Sequence, residues 1–160
     1  MITVLGCGNP NRSDDGVGPH VIALLKKRSG ESEGVRLLDA GIDGMAAMFA
    51  ARGCKSLIIV DACQSGSEPG AVFEAPGAAL ENSYTPALNL HDFRWDHALH
   101  AGRRIFRDAF PADVVVLLIE AATTDFGLDL SAPVAAAAVR VALRVEALIE
   151  TRQEAGEPGP

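Results

Sequence analysis

Short apolar segments that alternate with helix-forming segments are the feature of this sequence that most constrains its fold. The clearest of them, residues 56–61, runs Ser-Leu-Ile-Ile-Val-Asp without the polar alternation of a strand that has one wet face. Uninterrupted apolar strands separated by helices are typical of parallel sheets that are covered on both faces. We therefore predict an α/β three-layer sandwich, with a mostly parallel, twisted sheet of about five strands and helices on both faces.

The same pattern gives approximate bounds for each element. Strands are predicted at residues 2–6, 35–39, 56–61, 71–75 and 114–119. Helices are predicted at residues 16–28, 44–52, 92–108 and 132–149. The segment 71–75 is short and follows a Pro-Gly turn, so we place it at an edge of the sheet.

Composition limits the size of the domain and the partners it could have. The 160 residues predict a single domain over 1–152, followed by a flexible tail over 153–160. The formal net charge of −7 disfavours a nucleic-acid partner, and no apolar run approaches the roughly 20 residues of a membrane span. Three cysteines and the absence of signal-peptide features suit a reducing compartment. We expect a cytoplasmic protein and, from its modest size and few aromatic residues, a monomer.

The loop after the first predicted strand carries glycines and two carboxylates. Gly6 and Gly8 begin the loop, and Asp14 and Asp15 end it just before the first helix. A Gly-rich turn between a strand and a helix usually binds phosphate through backbone N–H groups. The two acids would repel a phosphate, and Asn11 stands where the dinucleotide-binding fingerprint needs a third glycine. The loop is therefore better suited to a metal ion or a cationic group.

The carboxyl ends of the parallel strands select further candidates, because ligands of such sheets bind beyond that edge. Asp61 ends the third strand, where a partly desolvated carboxylate needs a cation, a donor or a proton, unless it caps the next turn. Either Asp14 or Asp15 could be the N-cap of the first helix, but both cannot occupy that position. One of the two acids is thus available for another task.

Histidines complete a candidate metal site. His91 lies at the end of a loop that could face the strand ends, whereas His97 and His100 are three apart on a helix and more often mark a solvated face. Asp15, Asp61 and His91 would form a mixed oxygen and nitrogen site, which suits nickel or zinc. A thiol nucleophile at Cys7 with His91 as its base is an alternative, although a small buried residue in a tight turn is the more economical interpretation of Cys7.

The motifs, taken in order, resemble the hydrogenase maturation proteases. Along the chain these motifs are Gly6-x-Gly8-Asn9, Asp14-Asp15-Gly16-x-Gly18, Asp39-x-Gly41-x-x-Gly44, Ile58-Ile59-Val60-Asp61-Ala62, Pro69-Gly70, Ile119-Glu120 and Phe126-Gly127-Leu128-x-Leu130-Ser131. The resemblance covers nearly the whole sequence. It implies an endopeptidase that trims the C-terminal extension from the large-subunit precursor of nickel–iron hydrogenases.

The resemblance also implies roles for individual residues. Asp15, Asp61 and His91 fall on the family's proposed nickel ligands, and nickel would arrive with the precursor. Arg94 stands where the family usually has glycine, which keeps His97 and His100 as alternative ligands to His91.

The turn from Gly41 through Asp43 to Gly44 is expected to hold the substrate tail, or else only to begin a helix. Hydrolysis could use Asp15 or Asp61 as a general base on water, or a carbonyl polarised by the metal. Two further alternatives are a non-catalytic nickel checkpoint or chaperone for the precursor, and a small-molecule hydrolase.

Overall fold

The computed structural model describes residues 1–30, 32–81 and 95–155, and within them the predicted α/β architecture is confirmed. The five strands are β1 (Ile2–Cys7), β2 (Val35–Gly41), β3 (Ser56–Cys63), β4 (Val72–Pro76) and β5 (Asp113–Glu120). The four α-helices described are α1 (Val17–Arg28), α2 (Gly44–Ala51), α3 (Trp95–Phe106) and α4 (Ala132–Glu154). Helix α4 runs past the predicted end at residue 149 and includes the first two residues of the segment predicted as a tail.

The sheet has the strand order β2-β1-β3-β5-β4. The pairs β1–β2, β1–β3 and β3–β5 are parallel, whereas β4 pairs antiparallel with β5 at the edge. Most side chains of β4 are exposed, in keeping with an edge position. The carboxyl ends of β1, β2 and β3 therefore meet at one border of the sheet.

Side chains on the central strand β3 alternate between two apolar layers. Ile58 and Val60 pack in the cluster that contains the buried faces of α1 and α4. Leu57 and Ile59 pack in the cluster that contains residues of α2 and α3. The two clusters account for the three layers, since each face of the sheet is covered by two helices.

The topology creates a crevice between β1 and β3. The chain leaves β1 towards α1 on one face, whereas α2 and α3 cover the other face. Adjacent strands whose connections leave on opposite faces form the switch point at which open α/β sheets bind their ligands. The loop after β1 and the end of β3, which hold Asp15 and Asp61, border this crevice.

Glycines allow the loop after β1 to lie directly on the first turn of α1. A Cβ atom at Gly18 would overlap backbone atoms of Cys7 and Val60, so α1 approaches the strand backbones more closely than any side chain permits. Gly8 has φ +120° and would overlap the carbonyl oxygen of Asp15 if it carried a Cβ. The glycines thus serve close packing of the turn against β1, β3 and the start of α1.

Candidate active site at the carboxyl edge of the sheet

A cavity of about 280 Å³ lies at the switch point and gathers most of the predicted site residues. It is lined by Cys7, Gly8, Asn9, Arg12, Asp15, Gly41, Ile42, Asp43, Gly44, Ala47, Asp61 and Trp95. These residues come from the loop after β1, the turn after β2, the end of β3 and the start of α3. The sheet topology therefore brings together residues as far apart in sequence as Cys7 and Trp95, which are separated by 88 positions.

Asp61 is a buried carboxylate that is held by two N–H donors. Its side chain belongs to a residue that is only 3% exposed, near the end of β3. The backbone N–H of Ala62 donates to Oδ1 at 2.8 Å, and the indole Nε1–H of Trp95 donates to Oδ2 at 2.6 Å. Burial of a carboxylate is tolerated because donors of this kind compensate for lost hydration.

Asp15 lies in the 3₁₀ turn Ser13–Gly16 and lines the same cavity. Its Oδ2 accepts the backbone N–H of Asn9 at 2.9 Å, which ties the two ends of the loop together. Gly8 separates the two acidic residues, because a Cβ built on it would overlap the Asp15 carbonyl and contact Asp61 Oδ1 at 3.5 Å. The structure thus places the backbone of Asp15 and the carboxylate of Asp61 around one glycine, and both residues line the cavity.

The turn after β2 forms the opposite wall. The carbonyl of Gly41 accepts the N–H of Gly8 at 2.8 Å, which joins this turn to the loop after β1. Asp43 is the N-cap of α2, where its Oδ1 accepts from Met45 N at 2.9 Å and Ala46 N at 3.2 Å. Asp43 consequently both begins a helix and lines the cavity, so the two interpretations of this turn are compatible.

Asp14 has a different task from the one its position suggested. Neither Asp14 nor Asp15 caps α1, whose N-cap is Gly16 without a side-chain hydrogen bond, so of the two possibilities for Asp14, capping or support, the structure excludes capping. Asp14 is completely buried and accepts the N–H groups of Ala122, Thr123 and Ser131 and the hydroxyl of Ser131. Asp14 thus joins the 3₁₀ turn Ser13–Gly16 to the segment that precedes α4.

The structure does not test the predicted histidine ligand. His91 lies outside the described residues, so its role stays a prediction. His97 and His100 are half-buried on α3, and neither lines the cavity. Within residues 1–30, 32–81 and 95–155, no group of three His, Cys, Asp or Glu side chains is arranged to hold a metal ion.

Glu120, at the end of β5, forms a separate buried cluster. Its carboxylate accepts the hydroxyl and the N–H of Ser65, the N–H of Gly66 and the thiol of Cys63, and it does not line the cavity. The Ser65 hydroxyl and these N–H groups lower the pKa of Glu120 to about 2. Burial and the adjacent Glu120 raise the pKa of the Cys63 thiol to about 12, so this thiol is a weak nucleophile.

Two cavity residues were missed by reasoning from the sequence. Trp95 is the first residue of α3 and donates to Asp61. Arg12 is an exposed cation whose Nε donates to the Thr124 carbonyl. Its guanidinium lies 5.4 Å from the centre of the Phe126 ring. Arg12 stands within the acidic loop, and Trp95 is the only tryptophan. Those facts were visible, but nothing in the spacing indicated which strand end either residue approaches.

In the described part of the chain, no helix is both long enough and apolar enough to cross a lipid bilayer.

Comparison with known proteins gives a consistent result. The family model described as HycI: Hydrogenase maturation protease matches residues 19–148. The chain is 29% identical over 152 residues to the hydrogenase expression/formation protein HoxM of Azotobacter vinelandii, covering 89% of this chain and 70% of HoxM. It is 36% identical over 94 residues to the coenzyme F420 hydrogenase subunit delta of Methanothermobacter thermautotrophicus, covering 52% of this chain and 60% of that subunit.

Solved structures agree in fold. The hydrogenase maturating endopeptidase HybD of E. coli superposes with a TM-score of 0.77 at 26% identity, over 98% of this chain and 94% of HybD. HybD of Thermococcus kodakarensis superposes with a TM-score of 0.72 at 22% identity, over 92% and 98% of the two chains. The chain spans 60% and 65% of the length of the first two curated relatives it matches. Because the family model covers residues 19–148 of 160, the chain belongs to the hydrogenase maturation protease family.

Proposed function

We propose that this protein is an endopeptidase that removes the C-terminal extension of the nickel-loaded large-subunit precursor of a nickel–iron hydrogenase. The observation that carries the proposal is the cavity in which Asp15 and Asp61 lie together at the switch point of the sheet. Membership of the maturation protease family supports the same activity. We further propose that the protein acts in the cytoplasm as a monomer.

Nickel enters the proposal as part of the substrate, bound in the precursor. The proposed ligands from this chain are Asp15, Asp61 and His91, and their oxygen and nitrogen donors suit a borderline divalent metal. A cavity whose lining includes three acidic residues, Asp15, Asp43 and Asp61, against one cationic residue, Arg12, is compatible with a cationic centre. Under this proposal the enzyme processes a precursor only after nickel insertion, because the metal completes the binding interaction.

The chain's own carboxylates supply the acid–base chemistry. The N–H groups of Ala62 and Trp95 donate to Asp61, and that of Asn9 donates to Asp15, so both carboxylates have defined orientations beside the cavity. Either can take a proton from the attacking water, and nickel in the substrate supplies Lewis-acid polarisation of a nearby carbonyl. The turn of Gly41, Asp43 and Gly44 is proposed to hold the extended tail along the cavity wall.

The first experiment is cleavage of a purified nickel-loaded precursor, followed by the mass of the product. We expect Asp15→Asn, Asp61→Asn and His91→Ala to lose processing, whereas Asp108→Asn, an exposed acid outside the cavity, should cleave like the wild type. Unimpaired processing by all three folded site variants would refute the proposed site. Wild-type binding of the precursor without any change in its mass would instead favour a non-catalytic checkpoint.

A second experiment separates the carboxylate site from a thiol nucleophile. Cys7 lines the cavity but is only 5% exposed. We expect Cys7→Ser to retain processing, because serine preserves the size of the side chain in the tight turn. Loss of cleavage in a folded Cys7→Ser protein would make the thiol mechanism the better account.

A further inference from the structure

Trp95 makes a direct contact with the carboxylate on which the proposed chemistry depends. Its indole Nε1–H donates to Oδ2 of Asp61 at 2.6 Å, and the residue is only 7% exposed. The ring packs in the apolar cluster that also contains Leu57 of β3 and Leu99 of α3. The indole is thus fixed by its surroundings before any substrate binds.

The hydrogen bond determines how the carboxylate is oriented. Ala62 N–H donates to Oδ1 and Trp95 donates to Oδ2, so each oxygen accepts a bond from a different direction. Rotation of the carboxylate about its Cβ–Cγ bond would break both contacts. The donor at Oδ1 belongs to the backbone next to Asp61, whereas the donor at Oδ2 is a side chain that a substitution can remove.

We propose that Trp95 is a positioning residue, which holds the Asp61 carboxylate in its working orientation at the wall of the cavity. This inference rests on the proposed function, in which Asp61 is a site residue. An indole is well suited to the task because it is rigid and donates but cannot accept a hydrogen bond, so it always presents N–H to the carboxylate. Loss of such a supporting donor typically costs about 10–100-fold in activity.

The kinetic test uses Trp95→Phe, which keeps an aromatic ring in the apolar cluster and removes the N–H donor together with part of the ring volume. With nickel-loaded precursor we expect kcat to fall by about 10–100-fold, because the lost interaction orients the Asp61 carboxylate. Leu99→Val is the matched control, since Leu99 is buried one turn later in the same helix and cluster. A Trp95→Phe kcat equal to that of the wild type, or an equal fall in Leu99→Val, would overturn the proposal.

A spectroscopic test does not depend on activity or on the folding of Trp95→Phe. Trp95 is the only tryptophan, so a ¹⁵N-labelled protein gives a single indole N–H resonance. We expect this resonance to move strongly in Asp61→Ala and to stay in place in Asp108→Asn. An unmoved resonance in Asp61→Ala would show that the bond is absent in solution and would overturn the inference.

The two proposals fail in different ways. If the wild type leaves the mass of the precursor unchanged, the proposed function fails. If the wild type cleaves and Trp95→Phe cleaves equally well, only the positioning role fails.

Discussion

The replacement of Asp14 by asparagine tests whether this buried acid has a structural task. Asp14 is completely buried, and its Oδ1 accepts from Ser131 N at 2.7 Å. Its Oδ2 accepts from Ala122 N at 2.8 Å, Thr123 N at 3.1 Å and Ser131 Oγ at 2.9 Å. All the donors lie in the segment between β5 and α4, so the carboxylate joins the turn after β1 to the start of the last helix.

The cost follows from counting donors and acceptors. In Asp14→Asn the amide oxygen can take the place of Oδ2, but the NH₂ group then faces the N–H of Ser131. One buried donor loses its partner, which costs about 1–3 kcal/mol, and three charge-assisted bonds become neutral ones that are each weaker by about 1 kcal/mol. A neutral amide also avoids part of the desolvation cost of a buried carboxylate. We therefore expect the free energy of unfolding to fall by about 2–4 kcal/mol.

The measurement is urea unfolding followed by far-UV circular dichroism, with thermal unfolding alongside. A loss of this size should lower Tm by roughly 5–15 °C in a chain of this length. Asp129→Asn is the matched control, because Asp129 is an exposed acid of the same loop and should change stability by no more than about 0.5 kcal/mol. If Asp14→Asn were as stable as the wild type, or no less stable than Asp129→Asn, the structural role assigned to Asp14 would be refuted.

Three further predictions concern packing and the Glu120 cluster. Gly18→Ala should lower Tm more than Gly34→Ala does, since a Cβ at Gly18 meets strand backbone, whereas Gly34, at φ +79°, has open space and its replacement costs only backbone strain of about 1–2 kcal/mol. Equal losses would contradict this. Glu120 has a pKa lowered to about 2 from 4.5, so it stabilises the fold above pH 4.5, and this contribution disappears as the pH falls towards 2. The Tm of Glu120→Gln should therefore lie below that of the wild type at pH 7, and the two Tm values should converge near pH 2. Because the pKa of Cys63 is raised to about 12, only about one thiol in ten thousand is ionised at pH 8. Iodoacetamide should therefore modify Cys63 slowly in the wild type and faster in Glu120→Gln, as followed by peptide mass.

The fold was predictable because a strand that is buried on both faces has an uninterrupted run of apolar residues. The continuous apolar run around Ile58 and Ile59 is short and rich in β-branched residues, which favours a strand covered on both faces, and it forms the centre of the sheet. The end of α4 was less predictable, because Thr151 and the residues after it are polar and lack apolar periodicity. The helix continues there because Arg152 pairs with Asp113 of β5 at 2.6 Å, a tertiary contact that no local pattern contains.

Part of the site was predictable from the rule that open parallel sheets bind ligands beyond the carboxyl ends of their strands. Asp61 and the turn after β2 lie at the edge that the parallel arrangement selects, and the structure places both on one cavity. Trp95 was not predictable in this way, because it begins a helix and reaches the site through the length of its side chain. Rules based on strand ends identify residues whose backbone borders a site, and they omit residues that enter from a neighbouring layer.

The adjacent acids Asp14 and Asp15 show where sequence reasoning ends for physical reasons. They are chemically identical, and both lie in the 3₁₀ turn Ser13–Gly16. Successive residues of a 3₁₀ turn are rotated by about 120°, so neighbouring side chains must leave the turn in different directions. Asp14 is directed to the donors before α4, and Asp15 to Asn9 and the cavity. The order of the two acids therefore determines which one is buried, and the four bonds of Asp14 fix the turn that places Asp15 at the cavity.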